Sequence, residues 1–126
     1  MRLVVVGAHL AGLPLNHQLV ERGAVLERTC STSPAYRLHL LPSGQLPRPG
    51  LVRVADGGAP IAVEVWLLPK RHLASFLCAI DPPLAIGTVA LSDGTQEKGF
   101  LCEHYAAVVG EDITRFGGWR AYLEAK

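Results

Sequence analysis

The sequence predicts an α+β domain whose sheet curves or closes on itself. Three observations lead there. Apolar and β-branched runs mark about seven short strands, and only about three segments carry helical periodicity. Strands follow strands more often than they alternate with helices, which argues against a parallel doubly wound sheet. The 126 residues suffice for one hydrophobic core, and no linker or repeat divides them, so residues 1–126 read as a single domain.

The elements follow in order. Residues 2–6 run RLVVV, the pattern of a buried strand, and Gly7 ends it. Pro14 suits the first turn of a helix, where its missing N–H costs nothing. Leu15, Leu19 and Val20 then face inward, and Gly23 suits a C-terminal cap. Residues 24–28 read as a strand, 29–34 as a polar loop and 36–41 as an alternating strand. Residues 42–50 hold Pro42, Pro47 and Pro49 and read as an irregular loop. Strands at 51–54 and 61–68 flank Asp56-Gly57-Gly58, a hairpin signal.

Residues 70–80 are the clearest helix. Leu73, Phe76, Leu77 and Ile80 fall on one face, and Pro82-Pro83 stops the run. Strands at 84–91 and 96–105 are joined by Ser92-Asp93-Gly94-Thr95, a second hairpin signal. Asp112 or Thr114 caps a last helix containing Trp119, Tyr122 and Leu123, although Gly117-Gly118 weakens its start.

Composition excludes several classes of function. The chain is 49% hydrophobic and 18% charged, the reverse of a disordered sequence. Net charge is +1 and Lys70-Arg71 is the only adjacent basic pair, so nucleic acid is not an expected partner. Cys30, Cys78 and Cys102 form no CxxC, and no His stands at zinc-ligand spacing from them. They read as small hydrophobes in a reducing cytosol. No motif calls for a metal or a cofactor. Met1-Arg2 before LVVVGAHLAGLPL imitates a signal peptide, but His9 interrupts the run, Pro14 closes it and no A-x-A site follows. No run reaches the ~20 apolar residues of a membrane span, so the expectation is a cytoplasmic domain without a membrane partner.

The segment Val6-Gly7-Ala8-His9-Leu10-Ala11-Gly12 is the candidate site. Gly7 and Gly12 match two glycines of G-x-G-x-x-G, and Glu27 stands where a ribose-binding acid would. His9 replaces the middle glycine and would block a pyrophosphate. The residues leave two other readings. In one, main-chain N–H groups of the turn attract a carboxylate beside His9. In the other, Gly7 permits a tight turn and His9 is a hydrogen-bonded core residue.

Further strings extend the pattern: VVGAHLAGLPLNHQL at 5–19, YRLHLLP at 36–42, PGLVRV at 49–54, VEVWLLP at 63–69, IGTVALSDG at 86–94, KGFLCE at 98–103 and DITRFGGWRAYL at 112–123. In order and spacing they resemble the C-terminal domain of allophanate hydrolase. The resemblance implies a stand-alone copy, since nothing here resembles the Ser-Ser-Lys centre of the family's amidase domain. It implies a gamma-glutamylcyclotransferase-like fold, a small mixed β-barrel flanked by helices. It further implies a role in decarboxylating N-carboxycarbamate, the product of the amidase half, and a role in dimerisation. Gamma-glutamylcyclotransferases carry Y-G-S-L after their first strand and a Glu at the end of a later helix. Here those positions hold Val6-Gly7-Ala8-His9-Leu10 and approximately Ile80, beside Asp81. Cyclisation by a substrate amine is therefore poorly supported.

Decarboxylation needs a proton donor for nitrogen and hydrogen-bond donors for the retained carboxylate. The expected assignment makes His9 the catalytic donor. Gly7, Ala8 and Leu10 would hold a small dicarboxylate-like substrate through their N–H groups. Asn16 and Tyr36 would orient it, and Arg37 would add charge if it points inward. Alternation places Tyr36 and Arg37 on opposite faces. Glu64 lies on the face opposite Val63 and Val65 and beside Trp66; it is either an inward, paired and functional carboxylate or an outward solvated one. His17, His39, His72 and His104 read as surface or half-buried residues. Two other functions stay open: a non-catalytic subunit that docks to an amidase partner or forms a homodimer, and a gamma-glutamylcyclotransferase-like binding domain for another amidated or carboxylated metabolite.

Overall fold

A computed structural model describes residues 1–42 and 46–126. In chain order the elements are β1 (Arg2–Val5), α1 (His17–Val20), β2 (Val25–Ser31), β3 (Tyr36–Leu40), β4 (Pro49–Arg53), β5 (Ala62–Leu67), α2 (Leu73–Cys78), β6 (Leu84–Ala90), β7 (Gln96–Cys102), α3 (His104–Ala107), β8 (Glu111–Asp112) and α4 (Trp119–Ala125). Single 3₁₀ turns at Lys70–His72 and Thr114–Phe116 precede α2 and α4.

The α+β class holds, with mixed sheets in place of a closed barrel. Five strands run in the order β2-β5-β1-β7-β6, and three in the order β4-β3-β8. β1 pairs parallel with β7, and the other ladders are antiparallel. The edge strands of the large sheet converge at one end. There the Ser33 N–H donates to the Ala90 carbonyl at 2.9 Å, and the Ser92 N–H to the Ser31 carbonyl at 2.9 Å. β1 is central because both faces of its apolar run are covered: Leu3, Val4 and Val5 are buried. Leu38, Leu51, Ile61, Val65, Phe76 and Ile113 join them in one core.

Several sequence expectations need correction. The strand expected at 24–28 runs on to Ser31, since β5 pairs with the polar residues Cys30 and Ser31 as readily as with Val25. Of the loop expected at 42–50, Pro49 and Gly50 belong to β4, and residues 43–45 lie outside the described residues. Asp56-Gly57-Gly58 does not close a hairpin. It carries the chain from β4 in the small sheet to β5 in the large one. The helix expected from Pro14 is a single turn, and Val20 is exposed.

On α2 Phe76 is buried and Leu73 packs against the core, as does Ile80 just beyond the helix, but Leu77 and Cys78 face outward. Six residues give too narrow an apolar face to bury all four positions. The strand expected at 96–105 stops at Cys102, where α3 begins a separate turn. Neither Asp112 nor Thr114 caps α4, whose N-cap is Gly118; instead Asp112 Oδ1 accepts from the Thr114 N–H at 2.9 Å beside the 3₁₀ turn.

Candidate functional site

β1 ends at Val5, and the chain bends at Gly7. A Cβ at Gly7 would lie 2.5 Å from Cδ of Pro49, so only glycine lets β4 approach the turn. The turn folds on itself: the Leu10 N–H donates to the Gly7 carbonyl at 3.0 Å, and the Leu15 N–H to the Ala8 carbonyl at 2.9 Å. Asn16 closes it from outside, its Nδ2 donating to the His9 carbonyl at 2.9 Å. The N–H groups of Ala8 and His9 donate to no main-chain acceptor among the described residues.

A pocket of about 410 Å³ opens beside this turn. Gly7, Ala8 and His9 line it together with Gln18, Arg48, Asp81 and an apolar wall that includes Leu15, Leu84 and Phe100. Gly7 has no side chain, so its main chain is what faces the pocket.

His9 is only 7% exposed. Its ring stacks on Phe100 with centroids 4.8 Å apart and meets Phe76 edge-on at 5.5 Å. Its Nε2 lies 2.8 Å from Oε1 of Gln18. Burial pushes the imidazole below its usual pKa, against the contrary pull of the Gln18 bond. The free protein therefore holds a neutral ring at pH 7. With Oε1 of Gln18 as acceptor, Nε2 carries the hydrogen and Nδ1 has the lone pair. Arg22 braces the main chain at Gln18, not its side-chain amide. Its Nη1 donates to the Gln18 carbonyl at 2.8 Å and its Nε to Ser75 Oγ at 2.9 Å, with the guanidinium 5.8 Å from the Phe76 ring centroid.

The structure divides the expected site residues into two groups. Gly7, Ala8 and His9 come together at the pocket. The others do not line it. The Leu10 N–H is consumed inside the turn and its side chain is buried. Asn16 holds the turn from behind. Tyr36 is fully buried, and its hydroxyl accepts from the Ala90 N–H at 2.9 Å, tying β3 to β6. Arg37 points away on the opposite face, as alternation requires. Its Nε donates to Asp112 Oδ2 at 2.6 Å and its Nη1 to the Gly57 carbonyl. Burial pushes the Asp112 carboxyl up, but the hydrogen bonds from Arg37 and Thr114 hold it well below the carboxylate range.

Glu64 takes the inward alternative and is paired. It is 5% exposed; its Oε1 accepts from the Ala11 N–H at 2.8 Å and from Trp66 Nε1 at 3.0 Å. Its Oε2 lies 3.0 Å from Arg120 Nη2, which also donates to the Ala11 carbonyl at 2.6 Å. Glu64 thus anchors the far side of the turn.

Most of the pocket lining escapes sequence reasoning, including its polar residues Gln18, Arg48 and Asp81 and the aromatic Phe100. Gln18 and Phe100 had no signal beyond being one polar and one aromatic residue near apolar runs. Arg48 stood between Pro47 and Pro49 in a segment read only as loop. Asp81 is the acid nearest the position where the resemblance places the cyclotransferase glutamate, and both it and Ile80 line the pocket. Glu27 pairs with Arg2 at 3.0 Å and Arg28 at 2.8 Å, an ion-pair role and not a ribose-binding one. The thiols are unpaired, and burial pushes those of Cys30 and Cys102 up, away from nucleophilic thiolate. Among the described residues no helix is long and apolar enough to cross a membrane.

The chain as a whole has relatives. The allophanate hydrolase C-terminal domain family matches residues 1–124. This chain belongs to that family. It is 45% identical over 128 aligned positions to the urea amidolyase of Saccharomyces cerevisiae, covering 98% of this chain and 7% of that protein. The chain therefore spans only a small part of the curated relatives it matches. The solved Kluyveromyces lactis allophanate hydrolase superposes with a TM-score of 0.95 at 41% identity, over 98% of this chain and 21% of that one. A uropathogenic E. coli-specific protein gives a TM-score of 0.90 at 34% identity, covering 99% of this chain and 96% of that one. A gamma-glutamyl cyclotransferase shares the fold alone, with a TM-score of 0.56 at 14% identity over 89% of this chain and 70% of that one.

Proposed function

We propose that this allophanate hydrolase C-terminal-like domain holds a small carboxylate at its first turn and assists decarboxylation of N-carboxycarbamate in urea and allophanate nitrogen metabolism, acting with an amidase. One observation carries the reading: a buried imidazole lines a pocket beside two main-chain N–H groups with no main-chain acceptor among the described residues. Membership of the allophanate hydrolase C-terminal domain family supports the choice of reaction.

The chemistry follows from charge. A dianion beside His9 raises the ring's pKa, reversing the effect of burial. Gln18 accepts from Nε2, so the added proton sits on Nδ1. The N–H groups of Ala8 and His9 hold the retained carboxylate. As the bond from nitrogen to the departing carboxylate breaks, its electron pair moves to nitrogen. The imidazolium gives that nitrogen its proton, carbon dioxide leaves and carbamate remains. The products balance, with one proton consumed from the ring and later restored from solvent.

The test follows carbon dioxide release from amidase-generated N-carboxycarbamate with the wild type and His9→Asn. We expect the wild type to accelerate release, and the variant to lose on the order of 10²-fold of that acceleration. An unchanged rate removes His9 from the mechanism.

A second reading, that of a docking or dimerisation subunit, has its own observation. Tyr105, Val108 and Val109, on and just after α3, are 60%, 61% and 70% exposed. Light scattering of the protein alone and mixed with an amidase domain tests it. A monomer that ignores the amidase overturns it.

A further inference from the structure

We infer that the pocket at the first turn takes a monocarboxylate bearing an aliphatic arm, because an apolar subsite adjoins the place where the carboxylate is held. The inference rests on the reading above, that the turn binds a carboxylate, and names a further class of ligand for it.

Size is the first argument. The pocket measures about 410 Å³. A dicarboxylate of roughly seven non-hydrogen atoms takes at most about half of this, allowing ~30 Å³ per atom as for liquid water. The remaining space is bounded by apolar side chains from separate parts of the chain: Leu15 before α1, Leu51 on β4, Ile80 after α2, Leu84 on β6 and Phe100 on β7. A wall assembled from so many elements is part of the fold and not one loose loop. Predominantly apolar lining with a few placed polar groups is how sites for larger small molecules are built.

Charge is the second argument. Among the described residues the lining holds one arginine, Arg48, and one carboxylate, Asp81. His9 is neutral in the free protein. Arg48 is thus the one fixed positive charge of the lining among the described residues, which matches one carboxylate; the second charge of a dianion is met only when His9 takes up a proton. A single carboxylate is matched by Arg48 and the turn, while Asp81 is exposed and stays hydrated. The arm then displaces water from Leu84 and Phe100.

The experiment is calorimetric titration of the full chain with acetate, butyrate, hexanoate and octanoate, alongside malonate, glutarate and hexanol, at fixed pH and ionic strength. We expect affinity to rise about fourfold per methylene between butyrate and hexanoate, then level off as the wall is filled. Leu84→Asn reduces that slope. Leu15→Asn, in a half-buried loop position, provides the same test if the strand variant fails to fold. Malonate binding with no dependence on chain length overturns this inference and leaves the carboxylate reading intact. Hexanol binding as tightly as hexanoate removes the carboxylate reading, and this inference with it.

Discussion

The two sides of the first turn treat their polar groups in opposite ways. On the pocket side, Ala8 and His9 keep main-chain N–H groups without main-chain acceptors among the described residues, beside a buried ring. On the far side, both main-chain groups of Ala11 are taken, one by Glu64 and the other by Arg120. Glu64 and His9 are about equally buried, so burial does not separate them. What separates them is closure. Glu64 has three donors on its two oxygens, and such a group anchors. His9 has one ring nitrogen satisfied by Gln18, which leaves the other for a ligand.

Breaking the anchored side costs most. Glu64→Ala leaves the Ala11 N–H, the Trp66 N–H and Arg120 without their acceptor. We expect a loss of about 3 kcal/mol in denaturant unfolding. Arg120→Ala costs less, about 1 kcal/mol, because its side chain is 44% exposed. If both variants lose the same amount, the ion pair and not the hold on Ala11 is what counts.

The pocket side is next. Gly7→Ala places a methyl group against the Pro49 ring, and either the turn or β4 must shift. The expected cost is about 1–3 kcal/mol, with a larger loss of malonate affinity than Arg120→Ala produces. Calorimetry on both variants sharpens the contrast between the two sides.

His9 gives a smaller, pH-dependent effect. Its pKa is lowered on folding, so below about 6.5 the unfolded chain binds the extra proton and the native state does not. Stability is therefore complete above that pH and declines as pH falls below it. His9→Asn flattens this part of the profile. The smallest effect is Arg37→Ala, at most about 1 kcal/mol for a pair whose side chains are each 37% exposed, with no change in ligand binding. The depressed Asp112 carboxyl contributes stability that is present above about pH 4 and lost only in stronger acid.

The sequence carried β1 because its apolar run is uninterrupted and β-branched, and the β6–β7 hairpin because Ser92-Asp93-Gly94-Thr95 is local turn chemistry. It misread Asp56-Gly57-Gly58, since the same turn residues can close a hairpin or pass a chain between sheets. Only the pairing of β4 with β3 decides which. For the site, Gly7, Ala8 and His9 were legible from one turn. Alternation also correctly split Tyr36 from Arg37 and set Glu64 beside Trp66. Arg48, Gln18 and Phe100 were not legible, because they reach the pocket from β4's approach, α1 and β7. Contacts of that range leave no local pattern.

The most direct test of the central claim is an NMR titration of the His9 ring, with and without malonate. In the free protein we expect a pKa below 6.5, the ordinary histidine value. With saturating malonate we expect it to rise, because a carboxylate seated at the turn favours the imidazolium. A titration curve and ring shifts that do not move on adding malonate would contradict a carboxylate site beside this histidine.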